Sequence, residues 1–442
     1  MKMIFRIYSL LFVVCSLLFI SCSIQKRVSK DAKQFIFKDS NFAPAHIGIS
    51  IYNSVSKKYL YNYQGDKYFV PASNTKLLTC YAALKYLGDS LIALRYEEMD
   101  SMVCIIPSGD PTFLQEDFSS DKVLNFLRDE KLPLRFNLHN WQENSLGVGW
   151  AWDDYNDDYM AERSPFPVCG NILDGSLDYT QNSQGKDSSR MLLITPNIGH
   201  FNIQNSTINK IVRDKDSNNF SIYSNKKGKY SYSVPFVTNG FEAAKLILQD
   251  TLKREIAIST DPIPMRIVKV IHSQSTDSLL KIMMHRSDNF FAEQSLLMIS
   301  NECLGVMNDA KIIDLLLKTD YKNLPQKPKW VDGSGLSRYN LISPQDFVVV
   351  LEKMKNEFAW NRISTILPTG NTGTLSGYYQ KYAGKIYAKT GTLSNNVSIS
   401  GYLTTKRGKQ IIFSVLVNNH QTSASNIRKS VEKFISSMIE KY

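Results

Sequence analysis

Val70-Pro71-Ala72-Ser73-Asn74-Thr75-Lys76-Leu77-Leu78 leads into apolar residues at helical spacing. Leu77, Leu78, Tyr81, Leu84 and Leu87 fall on that period, and Gly88 supplies a C-terminal stop. Ser73 and Lys76 are three residues apart, one helical turn, so the amine can lie beside the hydroxyl. A serine hydroxyl is a poor nucleophile until a base takes its proton. Lysine is such a base only where burial or a nearby positive charge favours its neutral form. Alone the pattern is weak, because the chain of 442 residues holds eight Ser-x-x-Lys stretches. Ser287-Asp288-Asn289 and Lys389-Thr390-Gly391, by contrast, each occur once, and their order after Ser73 carries the weight.

Ser-x-x-Lys, Ser-Asp-Asn and Lys-Thr-Gly in that order form the signature of penicillin-binding proteins and class A β-lactamases. In such a site Ser73 is the nucleophile and Lys76 its base, with Lys389 the second positive charge that favours a neutral amine. The helix start places free N–H groups near Ser73, and the backbone N–H groups of Ser73 and Thr392 form the expected oxyanion hole. Ser287 is expected to relay protons between Lys76 and the leaving amine, and Asn289 to donate to a substrate amide carbonyl. Lys389 and Thr390 close the apparent strand Ile386–Thr390 and suit a carboxylate. Gly391 is expected to let the substrate backbone approach closely.

Further stretches extend the pattern beyond these motifs. They are Pro71-Ala72-Ser73-Asn74-Thr75-Lys76-Leu77, Ser108-Gly109-Asp110-Pro111-Thr112 and Trp152-Asp153-Asp154-Tyr155. Arg286-Ser287-Asp288-Asn289 with Ala292-Glu293, then Asp332-Gly333-Ser334-Gly335-Leu336-Ser337-Arg338, follow. Gly373-Thr374-Leu375 and Ala388-Lys389-Thr390-Gly391-Thr392-Leu393 complete them. From about Ile47 to its end the chain resembles the class C penicillin-binding proteins that are serine D-alanyl-D-alanine carboxypeptidases/endopeptidases. The resemblance implies an α+β, penicillin-binding-protein/β-lactamase-like transpeptidase domain: an antiparallel sheet with helices, split by a long, mostly β inserted region. It also implies action on peptidoglycan stem peptides through a Ser73 acyl-enzyme, and acylation by β-lactams. The rival readings are a serine β-lactamase and a non-catalytic peptidoglycan-binding lipoprotein.

The organisation of the chain agrees. Ile47, Ile49 and Ile51, then Tyr59, Tyr61 and Tyr63, flank Asn53-Ser54-Val55-Ser56 as a hairpin. Val397–Leu403 and Gln410–Val417 flank Lys406-Arg407-Gly408-Lys409 as another, and Ile427, Val431, Phe434, Ile435, Met438 and Ile439 stripe a closing helix. Helical periodicity also marks Phe241–Leu252 and, strongly, Ser278–Met298. The middle of the chain has short β-like runs and a Ser/Asn/Lys-rich stretch. We therefore divide it into residues 22–95 plus 265–442 as the catalytic domain and 96–264 as the insert. The resemblance implies a second insert nested in the first, near 173–235.

Residues 1–21 read as an export signal. Lys2 and Arg6 precede the apolar run Ile7–Ile20, too short for a membrane anchor at about 20 residues. Leu18-Phe19-Ile20-Ser21-Cys22 resembles a lipobox, so Cys22 is the expected lipidation site and the cell envelope, on the periplasmic side, the expected location; the alternative is an ordinary cleaved signal. Cys80, Cys104, Cys169 and Cys303 allow three pairings or remain free thiols, and without C-x-x-C they make no metal site. No cofactor is expected. The net charge of +11 raises nucleic acid as a partner, but there is no concentrated basic block or RNA-binding signature, so none is expected. The expected partners are peptidoglycan peptides, β-lactams and, through Cys22, a membrane.

Other residues have plainer readings. Asp288 reads as a structural bond-maker rather than an acid, and Asp332-Gly333-Ser334-Gly335 as a tight turn at the edge of the site. Trp150, Trp152, Tyr155 and Tyr159 read as core packing of the insert, and Asp153, Asp154, Asp157 and Asp158 as a solvated acidic turn. Glu357 loosely resembles a deacylating glutamate but reads as the end of the helical run Phe347–Met354.

Overall fold

The computed structural model describes residues 24–119, 122–181, 188–225 and 228–442. The export signal and Cys22 lie outside these. The alternating segments at the two ends of the chain build one antiparallel sheet of five strands. Its order is Ile386–Leu393, Asn396–Thr404, Gln410–Asn418, His46–Asn53 and Lys58–Tyr63. His46–Asn53 pairs along its whole length with Gln410–Asn418, which joins the first part of the catalytic region to the last. Both expected hairpins are present.

Strand Gln410–Asn418 is apolar almost throughout because both of its faces are covered. Phe413, Val415 and Val417 pack with Phe434, Ile435 and Met438 of the closing helix Ala424–Lys441. Ile412 and Leu416 pack on the opposite side with a helical lobe that includes Lys76–Tyr86, Asn289–Leu304 and Pro344–Glu357. The periodic run Ser278–Met298 is not one helix. It breaks into Thr276–Arg286 and Asn289–Leu304, with Ser287 left-handed at φ 63° and the Asp288 side chain accepting from the Phe291 N–H at 2.8 Å. Both helices bury apolar faces in the same core, so periodicity alone passes over the break.

The region between these parts has its own core, with Phe136, Phe166, Phe241 and Leu248 at its centre. Helices Lys122–Asp129 and Glu242–Leu252 accompany a mixed five-stranded sheet. Its order is Ile256–Ser259, Leu134–Asn137, Val103–Pro107, Ser90–Glu98 and Lys269–Ser275. Strands Ser90–Glu98 and Lys269–Ser275 pair with each other as the chain enters and leaves this unit. From Ile172 to Pro235 the chain forms two further sheets of three strands each. Cys80, Cys104, Cys169 and Cys303 are free thiols. Among the described residues no helix is long and apolar enough to cross a membrane.

Phe413 is fully buried at the centre of the main sheet. Phe413→Ala is expected to cost about 3–5 kcal/mol, read as a lowered melting temperature by calorimetry.

Candidate active site

Ser73 lies in a tight 3-10 turn, Ala72–Thr75, that opens directly into the helix Lys76–Tyr86. The turn places the half-exposed Ser73 hydroxyl 3.0 Å from Lys76 Nζ. Lys76 is completely buried, and its other two partners are Asn289 Oδ1 at 2.7 Å and the Ser334 carbonyl at 2.8 Å. Burial lowers its pKa to about 8, against the opposing pull of Asp288, Glu293 and Asp332. The amine is thus within reach of its neutral form near neutral pH, while hydrogen-bonded to the nucleophile.

The break between the two helices supplies the second wall. Its left-handed residue, Ser287, turns a hydroxyl to Lys389 Nζ at 2.8 Å. The direct link expected between Ser287 and Lys76 is not made, because the three donors of Lys76 are already taken by Ser73, Asn289 and Ser334. Asn289 uses its oxygen on Lys76 and donates from its nitrogen to the Tyr159 carbonyl at 3.0 Å. Its amide therefore joins the base to the inserted region, in addition to any bond it makes to substrate. Asp288 caps a helix and pairs with Arg286 at 3.1 Å, the structural part expected of it.

The third wall is the sheet edge. Lys389 is fully buried, and its pKa is held well below the ordinary lysine range by burial first, then by repulsion from Lys76 and Arg428. The Ala388 N–H points away from the neighbouring strand, to the Pro368 carbonyl at 3.0 Å. Strand alternation then sends the N–H groups of Thr390 and Thr392 to the same open edge, where an oxyanion is expected. Gly391 also serves the protein's own packing. A Cβ there would stand 2.8 Å from the Pro71 carbonyl and 2.9 Å from Ser73 N. Asn74 locks the same junction, donating to the Lys389 carbonyl at 2.8 Å and accepting from Ser400 Oγ at 2.7 Å. Thr392 Oγ accepts from Arg428 of the closing helix, a contact with no signal among the motifs.

A cavity of about 770 Å³ opens over Ser73, Ser287, Asn289 and Thr392. Its far wall comes from the inserted region, with Gly149, Asp153, Asp154 and Tyr159, and from Arg338 and Tyr339 beyond the Asp332 turn. The aromatic residues expected in the insert core lie outside it, and one of them, Tyr159, lines this cavity. Trp152 is 71% exposed and Tyr159 43%, because short 3-10 turns carry them across the surface. Trp150 donates to Asp332 at 3.1 Å, and Tyr155 stacks against Arg213. Asp332 is the turn-former that its sequence suggests, accepting from Gly335, Ser337 and Asn340. Glu357 ends its helix and bonds Tyr81 at 2.7 Å.

Comparison with known proteins adds an independent line. The family model for D-Ala-D-Ala carboxypeptidase 3 (S13) matches residues 33–438. The chain is 22% identical to the D-alanyl-D-alanine carboxypeptidase DacB of Haemophilus influenzae, over 86% of each chain. It is 25% identical to a D-alanyl-D-alanine carboxypeptidase of Actinomadura sp. (strain R39), over 88% of this chain and 80% of the relative. Among solved structures, penicillin binding protein 4 (dacB) of Haemophilus influenzae superposes with a TM-score of 0.74. That match, at 20% identity, covers 93% of this chain and 99% of the other. With the family match spanning nearly the whole chain, the protein belongs to the D-Ala-D-Ala carboxypeptidase 3 (S13) family.

Proposed function

We propose that the protein is a serine D-Ala-D-Ala carboxypeptidase that also acts as an endopeptidase on peptidoglycan cross-links. The observation that carries this reading is the buried Lys76 amine, hydrogen-bonded to Ser73 and open to deprotonation near pH 8. Neutral Lys76 takes the Ser73 proton as Oγ attacks the D-Ala carbonyl. The resulting oxyanion lies against the N–H groups of Ser73 and Thr392. The C–N bond then breaks and the leaving amine takes the proton that Lys76 accepted, while Ser287, held by Lys389 Nζ at 2.8 Å, lines the same cavity. Water, deprotonated by Lys76, cleaves the ester and releases the shortened peptide. The terminal carboxylate of the substrate rests on Lys389, Thr390 and Thr392. Arriving there, it favours the protonated form of a lysine that burial otherwise holds down.

The sequence pattern of residues 1–22 supports a place in the cell envelope. In this reading the signal is removed ahead of Cys22, whose lipid holds the enzyme at a membrane facing peptidoglycan.

Incubation of residues 23–442 with penicillin, followed by intact mass, is expected to give a persistent penicilloyl adduct that Ser73→Ala lacks. Consumption of the drug without an adduct would instead identify a β-lactamase. The acylation rate constant should rise about tenfold per pH unit below pH 8 and level off above it, because only the neutral amine accepts the Ser73 proton. Lys76→Ala is expected to slow acylation by about 10²–10⁴-fold. Growth with radioactive fatty acid should label the full chain and not Cys22→Ala; an unlabelled full chain would remove the anchor.

A further inference from the structure

Behind Lys76 lies a buried carboxylate that the acylation steps do not use. Glu293 sits one turn after Asn289 on the helix Asn289–Leu304 and is almost completely buried. Its Oε1 accepts the backbone N–H of Ser334 at 2.8 Å. The carbonyl of that same residue accepts from Lys76 Nζ at 2.8 Å. The other oxygen, Oε2, makes no hydrogen bond and lies 3.6 Å from Arg163 Nη1. Arg163 comes from the inserted region, is itself buried, and also pairs with Asp309 at 2.6 Å and Glu143 at 3.2 Å. The loop bearing Ser334 is pressed against its neighbours. A Cβ on Gly333 would stand 2.6 Å from the Ala292 carbonyl, and Thr79 donates to the Gly333 carbonyl at 2.6 Å.

The valence of the lysine gives this arrangement its meaning. A charged Lys76 donates to Ser73 Oγ, Asn289 Oδ1 and the Ser334 carbonyl. A neutral amine keeps two N–H groups and one lone pair. Asn289 Oδ1 and the Ser334 carbonyl only accept, so each retains an N–H, and the lone pair is left for the Ser73 hydroxyl. Without the Ser334 carbonyl in place, the amine is free to rotate an N–H toward Ser73, and its basicity is aimed elsewhere. We propose that Glu293 is a positioning residue which, by fixing Ser334, aims the lone pair of Lys76 at the nucleophile. The proposal rests on the reading of Lys76 as the base.

Penicillin acylation followed by stopped flow over a range of drug concentrations separates initial affinity from the acylation rate constant. Glu293→Ala is expected to lower the rate constant roughly 10- to 100-fold with affinity unchanged. Glu293→Gln keeps an acceptor for the Ser334 N–H and should stay close to the parent. Glu293→Asp keeps the carboxyl group but withdraws the acceptor, and should fall with Glu293→Ala; should the alanine variant fail to fold, the Gln and Asp pair decides. A parent-like rate in Glu293→Asp, or a glutamine variant as slow as the aspartate one, overturns the proposal, as does lost affinity at an unchanged rate constant. Lys76→Ala serves as the reference. If it acylates at the parent rate, the base itself is wrong; if it alone is slow, only the role of Glu293 falls.

Discussion

Lys76 carries its amine out of water and into contact with Ser73 Oγ, Asn289 Oδ1 and the Ser334 carbonyl. A lysine in water stays protonated near pH 10, useless as a base at neutral pH. Lowering that value to about 8 withdraws about 3 kcal/mol from the charged form. Burial alone would leave the ammonium without partners, which folding does not tolerate unless acceptors are supplied. Three elements distant in sequence supply them: the nucleophile turn, the helix after Ser287, and the loop at Asp332. Their convergence fixes how the helical lobe packs.

In the proposed mechanism the nucleophile must also meet the sheet edge closely enough for both to hold one oxyanion. Gly391 against Pro71 and Ser73, Asn74 against Lys389, and Ser398 Oγ against the Pro71 carbonyl at 2.7 Å make that junction. It is polar and, apart from Ser73, buried, so each hydrogen bond holds position at a cost of about 1–3 kcal/mol if its partner is lost. The inserted region completes the site from the other side. Tyr159 holds the Asn289 amide through its carbonyl, Trp150 bonds Asp332, and Arg163 pairs with Glu293. The insert is therefore part of the wall around the base as well as a rim over the cavity.

Much of this was legible without coordinates. The hairpins and the closing helix follow from periodicity, because strand and helix periods report directly which face is buried, while the convergence of Ser73, Lys76, Ser287, Asn289 and Lys389 is what the motif resemblance implied. The break at Ser287 was not legible, since two helices sharing one core preserve the apolar pattern across it. Trp152 and Tyr159 were misplaced for a related reason: a cluster of aromatics reads as core, and only the 3-10 turns around Asp153 and Asp158 carry them to the surface. Arg163, Glu293 and Arg428 had no motif of their own to single them out, although Glu293 stood among the matched residues.

The sequence by itself determined the two hairpins of the main sheet, the closing helix and the meeting of Ser73 with Lys76. Periodicity and short-range spacing carry that information, and Ser73 and Lys76 need only one helical turn to meet. Which group holds which was decided by tertiary structure. Ser287 bonds Lys389 instead of Lys76, Gly391 makes room for Pro71 and Ser73, and an inserted arginine lies 3.6 Å from a carboxyl group behind Lys76. Those pairings depend on how few donors and acceptors are left once the core has closed. That remainder is a property of the packed molecule and is written in no single stretch of the chain.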